Sequence, residues 1–312
     1  FAVCHALKSA KMLISGGGSL IQDITSFKSL LYYTSVMRYA ARCGDKVYVY
    51  ANGIGPLREK NYARAAKALN AADAVTLRDP ASLAELEKIG ADSGKARVTA
   101  DPVLLAEGTP REALMALFAD NGLPKDGRFF GISVREWQTN DPDFVRKIAE
   151  IADYAAEKYH LVPLLLPMRY PNDVAISEQI ASRCRTAYVL KNPVGVKDMI
   201  GLVGCLEAVL GMRLHTLIYA SGASVPVIGI VYDKKVSAFL DYIGEKRRVD
   251  TENIDVAAAK RDLDEIMEHP AEIRAFLAEQ KARLAALAEQ NASLAAELLK
   301  AYDAAHSEKK GN

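Results

Sequence analysis

Short runs of consecutive apolar residues alternate along this chain with longer stretches in which apolar positions recur every three or four residues. The short runs predict strands at Met12–Ser15, Lys46–Ala51, Ala74–Leu77 and Arg97–Ala100, and the longer stretches predict helices near Leu20–Cys43, Lys60–Asn70 and Ala81–Ile89. A polar stretch containing Gly and Pro, Asn121 to Arg128, then interrupts the pattern. It restarts with strands predicted at Phe129–Val134, Val162–Leu166, Ala187–Leu190, Glu207–Leu210 and Val225–Ile230, again separated by segments of helix length. Alternation of this kind predicts parallel sheets covered by helices.

The two halves also share a local grammar. Met12-Leu13-Ile14-Ser15-Gly16-Gly17-Gly18 runs from a strand into a glycine loop, then through a helix to a strand ending in Gly53-Ile54-Gly55-Pro56. Ala208-Val209-Leu210-Gly211 runs into Arg213 and His215, then through a helix to Val227-Ile228-Gly229-Ile230-Val231-Tyr232-Asp233. The repetition predicts an α/β fold of two Rossmann-like domains facing a cleft, with ligands at the carboxyl ends of the strands. From Pro270 to Tyr302 the pattern changes: Ile273, Leu277, Gln280, Leu284, Leu287, Asn291, Leu294, Leu298 and Ala301 alternate spacings of four and three. That is a coiled-coil seam with two polar positions, opened by a proline suited to a first helical turn. It predicts a long helix packed on its own chain or, as the alternative, one that self-associates. The expected domains are 1–122, 123–265 and a helical tail over 266–312.

With 312 residues, 50% of them hydrophobic, the chain can bury two cores of ordinary size. Forty Lys and Arg against 39 Asp and Glu leave a net charge of +1, which argues against a general nucleic-acid binder and for small or locally recognised partners. Cys4, Cys43, Cys184 and Cys205 are widely spaced with no CxxC pair, and they read as reduced core residues of a cytoplasmic protein. No apolar run reaches the roughly 18 to 20 residues of a membrane span, and no charged-then-apolar signal opens the chain. The first residue is Phe1, and the opening reads as the end of a helix feeding Met12–Ser15, so an upstream β-α-β portion is expected.

Candidate chemistry concentrates at Gly211-Met212-Arg213-Leu214-His215, where an apolar strand gives way to a helix. Backbone N–H groups and the helix dipole favour an anion at such a junction. Arg213 adds a fixed charge, and His215 adds a proton that can move near neutral pH. Arg135, Arg169 and Lys235 each follow a predicted strand of the same half. One such cation is ordinarily a solvated surface residue; three at equivalent strand ends point to a shared anion pocket. Gly16, Gly17 and Gly18 followed by Ser19 could cradle a phosphate or could serve a tight turn, and they match neither the Walker loop nor the dinucleotide fingerprint. Gln22-Asp23 and Asp101-Pro102 fit either contacts to a hydroxylated ligand or capping; the first is read as functional and the second as capping. Arg58, Arg64 and Arg78-Asp79 stay open between ligand contacts and local ion pairs. His5, His160, His269 and His306 have no companions at ligand spacing, so no zinc site is indicated.

Taken in order, Ile14-Ser15-Gly16-Gly17-Gly18-Ser19-Leu20-Ile21-Gln22-Asp23, Gly53-Ile54-Gly55-Pro56, Leu77-Arg78-Asp79, Asp101-Pro102, Gly131-Ile132-Ser133-Val134-Arg135 and Gly211-Met212-Arg213-Leu214-His215 resemble the polysaccharide pyruvyl transferase family. They are most similar to its bacterial cell-wall branch, associated with S-layer anchoring. The likeness spans nearly all of residues 1 to 265. It implies a fold like the two-domain GT-B glycosyltransferases, with residues 1–122 on the acceptor side and 123–265 on the donor side. It also implies transfer of pyruvate from phosphoenolpyruvate to two sugar hydroxyls as a 4,6-ketal, the acceptor being an N-acetylmannosamine of a lipid-linked disaccharide or oligosaccharide precursor of the secondary cell-wall polymer. The family's Arg-x-His motif falls on Arg213 and His215, and a downstream family lysine matches Lys235. The glycine- and aspartate-containing loop that opens family members has no counterpart in this sequence.

The expected catalytic residues are thus His215 and Arg213, and the expected donor-binding residues are Arg135, Lys235, Arg169 and Gly211. Gly16, Gly17, Gly18, Ser19, Gln22, Asp23, Arg58 and Arg78 are expected on the acceptor or cleft side. Phosphoenolpyruvate enters as substrate, with no cofactor and no metal; nucleic acid is not a partner, and the membrane is met only through the acceptor, at its inner face. Two alternatives stand beside this reading. A GT-B sugar-nucleotide glycosyltransferase or epimerase would release a nucleotide diphosphate, and a non-catalytic binding or assembly protein would show no turnover.

Overall fold

Every strand of this protein is flanked by a helix that returns the chain to the same end of a sheet, and the result is two parallel sheets. The computed structural model describes residues 2–24 and 26–307. Phe1 and the last five residues of the tail segment expected over 266–312 lie outside the described residues.

The first unit runs to Pro102 and is joined by the chain from Arg283 onward. It contains α1 (Ala2–Leu7), β1 (Met12–Gly16), α2 (Phe27–Cys43), β2 (Lys46–Asn52), α3 (Tyr62–Asn70), β3 (Ala74–Leu77), α4 (Pro80–Lys88) and β4 (Ala96–Val98). Its four strands pair in parallel in the order β1-β2-β3-β4. Val47, Val49, Leu77 and the α2 residues Leu30 and Met37 are fully buried in its core. Local signals start two of its helices: Ser26 caps α2 by accepting the Ser29 N–H at 3.3 Å, and Asp79 caps α4 by accepting the Ser82 N–H at 2.7 Å just ahead of Pro80.

The second unit, Val103–Ala282, contains α5 (Met115–Asp120), β5 (Phe129–Ser133), α6 (Phe144–Tyr159), β6 (Val162–Leu165), α7 (Val174–Ala181), β7 (Tyr188–Val189), α8 (Val196–Gly204), β8 (Leu206–Gly211), α9 (Leu214–Gly222), β9 (Val227–Val231), α10 (Lys234–Tyr242), β10 (Arg248–Asp250) and α11 (Val256–Glu268). The strand order β10-β9-β8-β5-β6-β7 is parallel throughout. Helices cover both faces, so all five residues of β5 are buried, which is why the central strands read as unbroken apolar runs.

The tail forms one helix, α12 (Pro270–Ser307), that belongs to both units. Ile273 and Leu277 are buried in the second unit, and Leu284, Ala288 and Asn291 in the first. Leu287, Leu294 and Leu298 are half-buried and Ala301 is exposed, so the seam packs on its own chain over its first two thirds. Asn291 is fully buried and fully occupied. Its Nδ2 donates to the Ala100 carbonyl at 3.1 Å and to the Ala288 carbonyl at 2.9 Å, its Oδ1 accepts from Thr99 Oγ1 at 2.9 Å, and its carbonyl accepts from the Tyr48 hydroxyl at 3.1 Å. Burial pushes the Tyr48 hydroxyl up to about 12.

The α/β class with two Rossmann-like units is as expected, and six details differ. The helix expected from Leu20 begins at Phe27, because Ile21 is drawn into a parallel bridge with Ile54 before the Ser26 cap. The strand expected at Arg97–Ala100 is β4, Ala96–Val98, and β10 is an addition, its three residues carrying two charges and no apolar run. The units divide at Pro102, earlier than the expected 122/123 boundary, and the tail is shared between them where a separate segment over 266–312 was expected. Cys4 and Cys43 are exposed and only Cys184 and Cys205 are partly buried, which corrects the reading of four core cysteines; all four are free thiols. Among the described residues no helix is long and apolar enough to cross a membrane.

Candidate active site

The candidate residues of the second unit gather where the strand order β9-β8-β5-β6 ends. Register fixes that edge. Ser133 of β5 lies beside Gly211 of β8, and Gly211 beside Gly229 of β9. Beyond the last pairs, the Met212 N–H donates to the Ser133 carbonyl at 2.7 Å and the Leu166 N–H to the Ile132 carbonyl at 2.8 Å. The side chains that follow therefore leave neighbouring strands at one level: Arg135 and Trp137 after β5, Arg213 and His215 after β8, Tyr232 and Lys235 after β9, Arg169 and Asp173 after β6. Gly211 is required by packing, since a Cβ there would come within 2.6 Å of Leu217 Cδ2.

Arg213 lies two residues past the end of β8 and is the cap residue of α9, with an extended backbone. Its guanidinium forms a two-pronged pair with Asp173, Nε donating to Oδ2 at 2.9 Å and Nη2 to Oδ1. The Asp173 side chain is 2% exposed and that of Arg213 15%. Asp173 Oδ2 also accepts the Arg169 N–H at 2.9 Å, so one carboxylate ties the loop after β6 to the loop after β8. The fork geometry is the one in which an arginine–carboxylate pair is strongest, and it aims the guanidinium while neutralising much of its charge. His215 sits in the first turn of α9, exposed, with its ring centroid 6.1 Å from that of Tyr219. The Arg169 side chain is exposed.

Arg135 and Lys235 meet around aromatic rings. The Arg135 Cζ lies 4.7 Å from the Trp137 centroid and 5.4 Å from that of Tyr232. The Lys235 Nζ lies 5.3 Å from the Tyr232 centroid and 3.4 Å from Asp233 Oδ2. Trp137 and Tyr232 pack edge to face, 5.0 Å apart at 70°. Since β8 lies between β5 and β9, this ring pair joins residues that follow the two strands on either side of the one preceding Arg213 and His215. Cations over ring faces at these distances are held electrostatically, each by about 0.5 to 1 kcal/mol where water has access. Asp173, Trp137 and Tyr232 join the site without having been candidates from the sequence. Tyr232 directly follows β9 and Trp137 follows Arg135 by two, both legible signals; Asp173 has no local signal.

In the first unit, Gly17 and Gly18 take left-handed backbone angles of φ 78° and 64°, which only glycine adopts at little cost. The loop is pinned by the Gly17 N–H on the Tyr50 carbonyl at 3.0 Å and the Gly53 N–H on the Gly18 carbonyl at 2.8 Å, while Gly16 ends β1. Arg78 is buried. Its Nη2 donates to Ser19 Oγ at 3.0 Å, its Nη1 to Asp101 Oδ2 at 3.4 Å, and its Nε lies 3.6 Å from Asp79 Oδ2. Asp23 is buried too, accepting the Arg58 N–H at 3.1 Å and the Asn61 side-chain amide. Arg78 and Asp23 are therefore occupied in building the loops at this end of the sheet, whereas Gln22 is half-buried and the Arg58 side chain exposed. Among the described residues no cluster of three His, Cys, Asp or Glu has metal-binding geometry.

Residues 4–234 match the family model described as polysaccharide pyruvyl transferase. No curated protein matches the chain. Among solved structures it is similar to UDP-GlcNAc 2-epimerase from Neisseria meningitidis bound to UDP-GlcNAc, with a TM-score of 0.64 and 12% identity over 95% of this chain and 80% of that one. HepE of Anabaena in complex with UDP and glucose gives a TM-score of 0.64 at 12% identity, covering 96% of this chain and 80% of that one. The α,α-trehalose 6-phosphate synthase of Burkholderia multivorans gives 0.51 at 16% identity, covering 90% and 78%. At such identities the likeness speaks for the fold alone, that of GT-B enzymes.

Proposed function

This chain belongs to the polysaccharide pyruvyl transferase family, and from that premise we propose that it transfers pyruvate from phosphoenolpyruvate to two hydroxyls of one sugar as a 4,6-ketal. It is a transferase. The observation that carries the donor assignment is the gathering of Arg135, Arg169, Arg213 and Lys235 with His215 at the ends of four neighbouring parallel strands.

The chemistry asks for a cationic site beside a proton donor. The methylene carbon of phosphoenolpyruvate gains a proton, a sugar hydroxyl adds to the adjacent carbon, and that carbon's bond to the phosphate oxygen breaks to release phosphate. A second hydroxyl of the same sugar then closes the ketal and loses its proton. The carbon passes through an oxocarbenium-like state while charge grows on the leaving phosphate. Arg135 and Lys235 hold the anionic ends of the donor, and Arg213, aimed by Asp173, faces the developing charge; preorganised groups of this kind act without rearranging as the reaction proceeds. His215 supplies the first proton or accepts a hydroxyl proton, a role that contributes on the order of a hundredfold to ten-thousandfold.

The acceptor is proposed to be an N-acetylmannosamine of a lipid-linked cell-wall polymer precursor, met at the inner face of the membrane, with Ser19, Gln22 and the exposed Arg58 on the acceptor side. No cofactor is proposed. The test is incubation of the full-length protein with phosphoenolpyruvate and a lipid-linked disaccharide, followed by mass spectrometry of the sugar and assay of free phosphate. A ketal with one phosphate released per sugar is expected. Turnover of a UDP-sugar with release of UDP and no ketal would overturn the proposal in favour of sugar-nucleotide chemistry.

A further inference from the structure

Tyr232 receives two cations from different strands, Arg135 from the end of β5 and Lys235 from the start of α10 after β9. We propose that its ring is the spacer that sets these cations into a two-armed clamp for a dianion, one arm for each charged end of phosphoenolpyruvate, the carboxylate and the phosphate. This rests on the donor reading given above and assigns Tyr232 as a positioning residue.

Each charged group lies within 5.4 Å of the Tyr232 centroid, so the two can be no farther apart than twice that distance. Like charges held so close repel, and something must keep them from swinging apart into water. The ring does so as the partner the two share, because a cation within about 6 Å of an aromatic face is attracted to it. Trp137 fixes the ring in turn, packing edge to face on Tyr232 while its own face lies 4.7 Å from Arg135. On the other side Asp233 accepts the Lys235 N–H at 3.0 Å and sits 3.4 Å from its Nζ, which limits how far the lysine can turn. A ligand with one charged end needs one of these arms. A ligand charged at both ends gains from two arms held at a set distance, because the ordering has been done before it arrives.

Trp137 is the single tryptophan of the chain, and it lies against Arg135, so its emission reports on the clamp. The parent protein, Tyr232→Phe and Tyr232→Leu are titrated with phosphoenolpyruvate and, separately, with inorganic phosphate, following that emission; KM and kcat for phosphoenolpyruvate are measured alongside. Tyr232→Phe keeps the ring and is expected to stay within about threefold of the parent, whereas Tyr232→Leu is expected to weaken phosphoenolpyruvate by about tenfold or more through the loss of two cation–ring contacts. Inorganic phosphate, which has no second end, should change by less than about threefold, and the turnover defect should lie in KM with kcat nearly held. Tyr232→Met, which refills the volume without a ring, carries the same reading should leucine leave the protein unfolded. A parent that binds phosphoenolpyruvate and a Tyr232→Leu variant that binds it equally well would overturn the spacer and leave the donor reading intact. Equal losses for phosphoenolpyruvate and phosphate would overturn it too, as the mark of a general disturbance. A parent blind to phosphoenolpyruvate in both emission and turnover would remove the donor reading and the clamp together.

Discussion

Replacing Asp173 by asparagine keeps the shape of the side chain and removes its charge, leaving the Arg213 guanidinium against a neutral amide. Arg213 is 15% exposed and Asp173 2%, so the pair is shielded on the carboxylate side and slightly open on the other. Breaking a buried pair by removing one partner costs about 3 to 5 kcal/mol, and the partial access of Arg213 to water places this one near the lower end, at about 3 kcal/mol. For a unit of this size about 3 kcal/mol corresponds to a fall of roughly 6 to 12 °C in the transition of the second unit. The assay is a double-mutant cycle read by thermal or urea unfolding, with Asp173→Asn, Arg213→Met and the two combined. Removing both partners leaves no stranded charge, so the double variant should recover about 2 kcal/mol relative to the sum of the singles. The Arg169 N–H keeps an acceptor in the asparagine variant, so any loss is the charge pair's. Turnover should fall in Asp173→Asn with binding of phosphoenolpyruvate largely kept, because the arms of the donor clamp lie elsewhere. Single losses that simply add, within about 0.5 kcal/mol, would refute the claim that Asp173 and Arg213 act as a unit.

His215→Ala should cut turnover by about a hundredfold or more at unchanged folding and little-changed donor affinity, and His215→Gln should not restore it, since an amide cannot titrate; near-normal rates for the glutamine variant would make His215 an orienting group. Asn291→Leu should destabilise the first unit by about 1 to 3 kcal/mol, because the Ala100 carbonyl loses the side-chain donor it has inside the core while Thr99 Oγ1 keeps the Leu77 carbonyl at 3.2 Å, and an unfolding curve that does not move would sink that account. Burial raises the Asp262 carboxyl from 3.8 to about 6, so the folded protein holds a proton there that the unfolded chain has already lost, and stability should decline as pH rises from about 4 to about 6. That gap is worth about 3 kcal/mol for a shielded group, and solvent screening of a half-buried one leaves roughly half; Asp262→Asn should therefore be more stable than the parent at pH 7 by about 1.5 kcal/mol and equal to it at pH 4, as unfolding at the two pH values will show.

Much of the scaffold was legible because parallel strands buried on both faces leave unbroken apolar runs. Ala74–Leu77 was placed at its observed bounds, and alternation alone showed that Arg135, Arg213 and Lys235 each follow a strand of the second half, though not the order of those strands in the sheet. What the pattern could not show depends on partners distant in sequence. Residues 20–24 have helical periodicity, yet the bridge from Ile21 to Ile54 and the Asp23 contacts to Arg58 and Asn61 hold them out of a helix, a tertiary demand stronger than local preference. β10 escaped notice because three residues beside an edge leave almost no pattern. The charges of the candidate site could be found, but not what they lean on: nothing near Asp173 in the sequence announces a guanidinium forty residues away, and Tyr232 reads as the last residue of an apolar strand until Arg135 and Lys235 are seen against it.

The shared tail helix sets an order of assembly. Tyr48 and Asn291 meet across 243 positions of sequence, and Lys11 pairs with Asp303 at 2.7 Å. During synthesis the four strands of the first unit emerge early, but the helix that seals Tyr48 and Thr99 emerges only after the whole second unit has been made. The first unit therefore waits, with one wall open, until α12 has been made. A fragment ending at Pro102 lacks that wall, and a cleavage near Arg283 would be felt first by strands that lie some two hundred residues earlier in sequence.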